Sequence, residues 1–131
     1  MKSAVAAYSS SLNSLLVSML ARSPGATHAV LATVDGVVVA VSAGLPPDRA
    51  EQLATIGAGL LSIADGAGMM MRTGVPRHVI VEMYGGLLLT APVGSRVGLT
   101  VLATRDADRE RLGFEVAQFA RHVTPLVSHV R

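Results

Sequence analysis

Apolar residues recur at helical spacing in three segments of the chain. The first predicted helix runs from about Ser10 to Ala21, and its apolar positions follow the i, i+3, i+4, i+7, i+8 pattern: Leu12, Leu15, Leu16, Met19 and Leu20. The second opens at Pro46 to Asp48 and runs to about Met71, and the third follows Asp106 or Asp108. The third helix is defined by one apolar stripe: Leu112, Val116, Phe119, Val123, Leu126 and Val130. Each stripe predicts a helix with a buried face.

Between these helices the apolar residues form runs typical of β-strands. Strands are predicted near 28–34, 37–42, 77–83, 87–93 and 97–104, and glycine-containing turns separate the neighbours. The Asp35-Gly36 step favours a type I′ hairpin turn, which needs positive φ at both central positions. The runs HVIVEM and LLLTAPV are almost continuously apolar, as expected for a sheet that is covered on both faces.

The predicted order of elements is α-β-β-α-β-β-β-α, with hairpins between neighbouring strands. A five-stranded antiparallel sheet with helices on both faces makes a three-layer sandwich, so the expected fold class is α/β, of the α+β type. A chain of 131 residues fits one domain. We expect a flexible N-terminus at 1–9 and a single domain over 10–131.

The second predicted helix is poor in charge. Between Gln52 and Ala64 its only polar side chains are Thr55 and Ser62, whereas a solvent-facing helix surface usually carries charges. The residues expected to face the sheet are Leu53, Ile56, Leu60, Ala64 and Gly68. The other face is expected to carry Ala54, Ala58, Leu61 and Met69, with Gly57 and Gly59 beside them. An exposed apolar face predicts an interface, and its simplest partner is a second copy of the chain.

Composition and charge exclude several functions. The chain has no cysteine, so disulfides and thiolate metal sites are not available. Its eleven cations are scattered and only 3% of its residues are aromatic, which does not fit a nucleic-acid surface. The uncharged run at 3–21 is interrupted by Ser and Asn, unlike a signal peptide or a membrane span. We expect a cytoplasmic protein that binds no nucleic acid and does not insert directly into membranes.

No motif for catalysis is recognisable. The glycines of GAGLLSIADGAG lack the lysine of a phosphate-binding P-loop. Only His122 and His129 lie near each other in the sequence, seven positions apart, which does not predict a metal site. We therefore expect no cofactor, no metal and no catalytic residue. Arg49, Arg72 and Arg77 lie near the ends of the second helix, where an arginine that stabilises phosphate transfer in another protein remains an alternative to solvation or helix-end pairing.

Two segments of the chain resemble the roadblock / dynein-light-chain family. They are GATHAVLATVDGVVVAVSAGLPPDRAEQLATIGAGLLSIA and HVIVEMYGGLLLTAPVGSRVGLTVLA, the latter with Glu82 and Gly85-Gly86 at the second hairpin. The resemblance extends from about Ser11 onward and favours bacterial members that partner small Ras-like GTPases. It implies a homodimer in which the second helices pair and the third strands join two sheets into a platform for a GTPase. In actinobacteria, similar proteins are encoded beside a sensor-kinase-like protein and a GTPase.

The favoured function is therefore a non-catalytic regulatory or scaffold partner of a small Ras-like GTPase, acting as a homodimer in bacterial signalling. A sensor-kinase-like protein is a further expected partner, and membrane recruitment is expected only through partners. Two alternatives stay open: a small-ligand sensor domain, and a structural adaptor in a membrane-associated signalling complex that is independent of nucleotide state. The expected dimer or partner contacts are Ala54, Gly57, Ala58, Leu61, Met69, Arg49, Glu51, Met70 and Arg72. Of the three methionines at 69–71, we expect at least one in the core.

Overall fold

A computed structural model of the chain describes residues 2–128. Within these residues, three helices and five strands follow one another in the predicted order: α1 (Lys2–Ala21), β1 (Ala26–Thr33), β2 (Val38–Val41), α2 (Pro47–Met71), β3 (Val79–Met83), β4 (Gly86–Val93), β5 (Val97–Ala103) and α3 (Arg109–Val127). The predicted start of α1 at Ser10 is wrong, since the helix begins at Lys2. The division into a flexible stretch at 1–9 and a single domain over 10–131 stays a prediction. His129 and Val130 lie outside the described residues.

All five strands form one antiparallel sheet in the order β2-β1-β5-β4-β3. The pairs β1–β2, β3–β4 and β4–β5 are hairpins. The central pair is different, because β1 and β5 come from opposite halves of the chain and align from Ala26 opposite Ala103 to Thr33 opposite Val97. β2 and β3 are therefore the two edges of the sheet.

Helices cover both faces of the sheet, and the predicted three-layer arrangement is confirmed. α1 and α3 pack on one face, where Leu16 and Phe119 join a large core with sheet residues such as Leu31. α2 packs on the other face against Val30 and Leu88. Because successive side chains of a strand point to opposite faces, the neighbours Val30 and Leu31 belong to different cores. This explains why the strands are almost continuously apolar.

The turn between β1 and β2 is not the predicted type I′ turn. Its loop has three residues, 34–36, closed by hydrogen bonds from the Gly36 N–H to the Thr33 carbonyl (2.9 Å) and from the Thr33 N–H to the Val37 carbonyl (2.8 Å). Gly36 has φ of 87°, whereas Asp35 stays outside the left-handed region. This geometry is a type I turn followed by a glycine bulge, which needs positive φ at one residue only.

α3 begins at a side-chain cap. The Asp108 carboxylate accepts a hydrogen bond of 3.1 Å from the backbone N–H of Arg111, so the second of the two predicted caps is confirmed. The predicted apolar stripe is buried through Val123, but its next member is wrong, since Leu126 is exposed and Val127 is buried. Val127, four positions after Val123, faces the sheet, whereas Leu126, three positions after it, faces solvent.

α2 lies directly against the sheet at Gly57. A Cβ built at this glycine would lie 1.9 Å from Thr100 Oγ1, closer than any real side chain tolerates. Thr100 shares a buried hydrogen bond of 3.0 Å with Thr90 on the neighbouring strand. Small residues of α2, Ala50 and Ala54, are buried on the same side of the helix. At Gly57 the helix backbone itself therefore contacts the strands, and Leu53 adds a large side chain to the same interface.

Gly57→Ala should lower the free energy of unfolding by about 1–3 kcal/mol, because the added methyl group forces α2 away from Thr100. Urea denaturation measures this difference. Adding Thr100→Ala removes the closest atom, so the double variant should recover part of the loss in a double-mutant cycle. Strictly additive effects of the two substitutions would contradict this description of the contact.

Candidate functional site

The outer face of α2 carries a continuous apolar stripe, here called the outer seam. The spacing between successive members alternates between three and four residues: Ile56, Gly59, Ile63, Gly66 and Met70. Ile63 is 75% exposed and Met70 is 79% exposed. A Cβ added at Gly59 or Gly66 would meet nothing within 4 Å. Steps of three and four keep residues on one side of a helix, so the outer seam is a continuous and uncovered surface.

The outer seam also explains an unusual property of α2. Among the described residues, α2 is the one helix long and apolar enough to cross a membrane, with a mean hydropathy of 1.4 over its most apolar window. Only 22% of that window is buried. The helix is nevertheless anchored on the sheet through Ala50, Leu53 and Gly57. Its apolar excess therefore lies on the outward side of a folded domain, and exposed apolar patches of this kind are typical of interaction surfaces.

The two edges of the sheet differ in how they are protected. At β2, the backbone N–H of Val41 donates a hydrogen bond of 2.9 Å to Oδ1 of Asn13, so a side chain of α1 occupies part of this edge. β3 pairs on one side only, with β4. Within residues 2–128, no backbone hydrogen bond reaches the outer side of β3. An open edge of this kind can pair with a strand of another molecule.

α2 ends in a left-handed residue, Arg72, with φ of 57° and ψ of 40°. The Arg72 N–H donates to the Met69 carbonyl at 3.3 Å, and the Thr73 N–H donates to the Gly68 carbonyl at 2.9 Å. This is a Schellman closure, in which glycine is the usual left-handed residue. A side chain there costs about 1 kcal/mol. Arg72 thus holds a cationic side chain at the exposed end of the outer seam, at a cost in stability.

The structure places the predicted contact residues in three settings. Ala54 and Gly57 are buried between α2 and the sheet, so the prediction that they lie on the outer face is wrong. Ala58 and Leu61 are half-buried on one flank of α2. The remaining predicted contacts are exposed: Arg49, Glu51, Met69, Met70 and Arg72.

Three further differences concern the large apolar residues of α2. The prediction that Ile56 faces the sheet is wrong, because the sheet contacts small residues and turns Ile56 outward, where it is 51% exposed. Ile63 was not among the predicted contacts, although its spacing from Ile56 and Met70 could have indicated the outer seam. The expected core methionine is also wrong, since all three methionines at 69–71 are exposed.

A cleft of about 620 Å³ lies along the flank of α2 that carries Ala58 and Leu61, between the helix and the ends of three strands. α2 contributes Ala58, Leu61 and Asp65 to its lining, and the hydrogen-bonded pair Thr90 and Thr100 also lines it. Neither threonine was predicted as a site residue. The cleft forms only when α2 and the β4–β5 hairpin come together, so no local pattern in the sequence indicates it.

The ion pairs of the domain lie away from this cleft. Glu115 of α3 is buried and contacts Arg22 at 3.1 Å and Arg111 at 3.4 Å, which ties the end of α1 to α3. Glu82, at the second hairpin, pairs with Arg109 at the start of α3. None of these five residues lines the cleft. Their charges therefore stabilise contacts between elements and do not contribute to the cleft.

The Asp106 carboxyl, in the loop before α3, has a pKa below its ordinary value. The main cause is a hydrogen bond of 2.7 Å donated by Thr104 Oγ1 to the carboxylate. Asp106 lines neither the cleft nor the outer seam. Its ionisation therefore bears on the loop that leads into α3.

Comparison with known proteins decides the family. The family model described as the Roadblock/LC7 domain matches residues 12–103. The chain belongs to the Roadblock/LC7 family. The resemblance seen in the sequence is thereby confirmed, and the element order of this Roadblock/LC7 domain matches the family fold.

Solved structures show the same fold. A Roadblock/LC7 domain from Streptomyces avermitilis is 38% identical, with 88% of this chain and 97% of that chain covered and a TM-score of 0.83. MglB from Myxococcus xanthus is 15% identical, with 91% and 89% covered and a TM-score of 0.81. The gliding protein MglB from Thermus thermophilus is 15% identical, with 95% and 93% covered and a TM-score of 0.81. No curated protein matches the chain.

Asn13→Ala should open the protected edge of the Roadblock/LC7 domain, because the Val41 N–H loses its acceptor. We expect faster amide hydrogen exchange at Val41 and a loss of about 0.5–1.5 kcal/mol in unfolding free energy. Ser14→Ala is the matched control, since the Ser14 hydroxyl bonds only the Ser10 carbonyl within α1. Unchanged exchange at Val41 in Asn13→Ala would contradict the protective role of Asn13.

Proposed function

We propose that this Roadblock/LC7 domain is a non-catalytic regulatory partner of a small Ras-like GTPase and that it acts as a homodimer. Membership of the family supports a regulatory role associated with small GTPases in general. The observation that carries the dimer is the presence of two uncovered features in one region of the molecule, the outer seam of α2 and the open edge of β3. The loop at 72–78 joins these two elements directly.

A two-fold axis beside β3 would use both features at once. The two β3 strands would pair antiparallel and satisfy the outward N–H and C=O groups of both edges. The same axis would bring the two outer seams together, where Gly59 and Gly66 allow close approach of the backbones and Ile63 supplies apolar contact. MglB, which shares the fold at 15% identity, is known in a tetrameric arrangement. That assembly supports an oligomeric state for domains of this shape.

Ile63→Glu should convert the dimer into a monomer, because pairing of the outer seams would bury an unpaired carboxylate. Sedimentation equilibrium measures the mass in solution. Ser62→Glu is the matched control, since Ser62 is exposed and adjacent but lies outside the outer seam. A parent chain that stays monomeric at high concentration would contradict the proposed dimer, as would a dimer that survives Ile63→Glu.

The GTPase is proposed to contact the exposed ends of the paired helices. A two-fold axis near Ile63 runs the helices antiparallel, so the start of one α2 lies beside the end of the other. Arg49 and Glu51 of one copy and Met69 and Arg72 of the other would then share one surface. Methionine suits surfaces that adapt to a partner, and the strained backbone at Arg72 supports a role for its side chain in binding.

Arg72→Gly should weaken binding of the GTPase without lowering the stability of the fold. Glycine accepts the left-handed backbone without strain, so the free energy of unfolding should be unchanged or rise by up to about 1 kcal/mol. Binding of the GTPase should weaken, because the cation is lost. Tagged protein is used to capture partners from the native lysate with excess GDP or with a non-hydrolysable GTP analogue, and the bound proteins are identified by mass spectrometry.

The parent chain should enrich a Ras-like GTPase in one of the two nucleotide states. Arg121→Ala, which removes an exposed cation from α3 on the opposite face, is the control and should capture as much as the parent. Recovery of no GTPase in either state would overturn the proposed function and leave a structural adaptor. Equal capture by Arg72→Gly and the parent would remove Arg72 from the contact surface.

A further inference from the structure

We propose that the cleft beside α2 is a binding site for a small, mainly apolar molecule that is neutral or positively charged. The cleft is distinct from the outer seam, because most of its α2 residues, such as Ala58, Leu61 and Asp65, lie roughly half a turn around the helix from Ile63. The two surfaces share no residue. The proposal therefore does not depend on the dimer or on a GTPase partner.

Two glycines shape the space. Gly57 lets the backbone of α2 lie on Thr100, and Gly98 leaves room for Leu61, whose Cδ1 would be 2.8 Å from a Cβ added at Gly98. Both glycines line the cleft. The volume of about 620 Å³ falls within the range of roughly 300–1,000 Å³ that is typical of small-molecule sites.

The walls of the cleft are mainly apolar. They include Ala32, Val34, Ala58, Leu61, Pro92 and Val97. Water held against such walls is released when an apolar ligand enters, which favours binding. The ligand is therefore expected to present most of its surface as hydrocarbon or as an aromatic ring.

The Thr90–Thr100 pair supplies a hydrogen-bond donor inside the cleft. Both threonines are buried, Thr100 being 4% exposed. Their two hydroxyls share one hydrogen bond, in which either oxygen can be the donor, so the second hydroxyl hydrogen takes no part in that bond. A ligand that places a carbonyl or ether oxygen against this pair would satisfy the remaining donor.

Charge at the cleft determines which ligands are disfavoured. Asp65 is the one charged residue in the described lining, and the other polar groups nearer the solvent, Thr33, Ser62 and Ser95, are neutral. An anion would find no counter-charge there and would be repelled by Asp65, whereas an amine would be attracted. The lining thus disfavours nucleotides, phosphates and carboxylates, and it favours an amine or a neutral molecule.

Four related probes test these features with the full chain by amide NMR titration. 4-Methoxybenzylamine carries a ring, an ether oxygen and a cation, whereas 4-methoxybenzoate is its anionic counterpart and 4-methoxybenzyl alcohol is neutral. 4-Ethylbenzylamine lacks only the ether oxygen. We expect saturable shifts at Gly57, Leu61 and Gly98, with affinities in the order of 1 mM for a fragment of this size. The amine should bind about two- to fivefold more tightly than the benzoate, and 4-ethylbenzylamine should bind more weakly than 4-methoxybenzylamine.

Variants assign the effect to the cleft. Asp65→Asn should remove the preference for the amine over the benzoate, whereas Asp48→Asn is the matched control, since it neutralises a carboxylate of α2 that does not line the cleft. Ala58→Leu should fill the cleft and weaken all four probes at least about tenfold, with its fold checked by the retained amide spectrum.

Several results would overturn the proposal. These are the absence of saturable shifts at the cleft, equal binding of the amine and the benzoate, or unchanged binding in Ala58→Leu. Shifts that disappear in Ile63→Glu would also overturn it, because they would place the site between two copies of the chain. Loss of GTPase capture has no bearing on these measurements, so the two proposals fail independently.

Discussion

The contact of the α2 backbone with Thr100 determines where both surfaces of this domain lie. Because Gly57 has no side chain, the helix can lie directly on the strands at this residue. The contact fixes the orientation of the helix about its own axis. That rotation turns Ile63 and the rest of the outer seam toward solvent and places Leu61 beside the β4–β5 hairpin. A larger residue at position 57 would lift the helix and change the outer seam and the cleft together.

The two faces of the sheet differ in how they are filled. α1 and α3 pack large residues such as Leu16 and Phe119 into an extensive core, and the buried Glu115 with its two arginines ties these helices together. α2 contacts its face through small residues and Leu53, and it joins a much smaller core. Most of the apolar burial that stabilises the fold thus belongs to one face. The other face carries the left-handed residue Arg72 and the uncovered Met70.

The order of elements and the three layers could be predicted because each rests on local patterns, such as the apolar run of β4 or the turn at Gly36. The rotation of α2 could not be predicted in this way. Apolar residues occur on all sides of this helix, so hydrophobic periodicity does not show whether Ile56 or Ala54 faces the sheet. The contact of Gly57 with Thr100 determines which of them does. The cleft could not be predicted for a related reason, since it lies between segments that are distant in the sequence. Family resemblance indicated a helix-paired dimer but not which residues of α2 face outward.

The central pairing of β1 with β5 has a consequence for biosynthesis. Thr33 aligns with Val97, more than sixty positions later in the chain. The amino-terminal hairpin therefore leaves the ribosome long before its main partner strand exists, and the sheet closes only after most of the domain has been made. During that interval one side of β1 is an open edge, and Val30 and Leu31 lack the core neighbours that the later strands β4 and β5 supply. The nascent chain is then most exposed to aggregation and to chaperones.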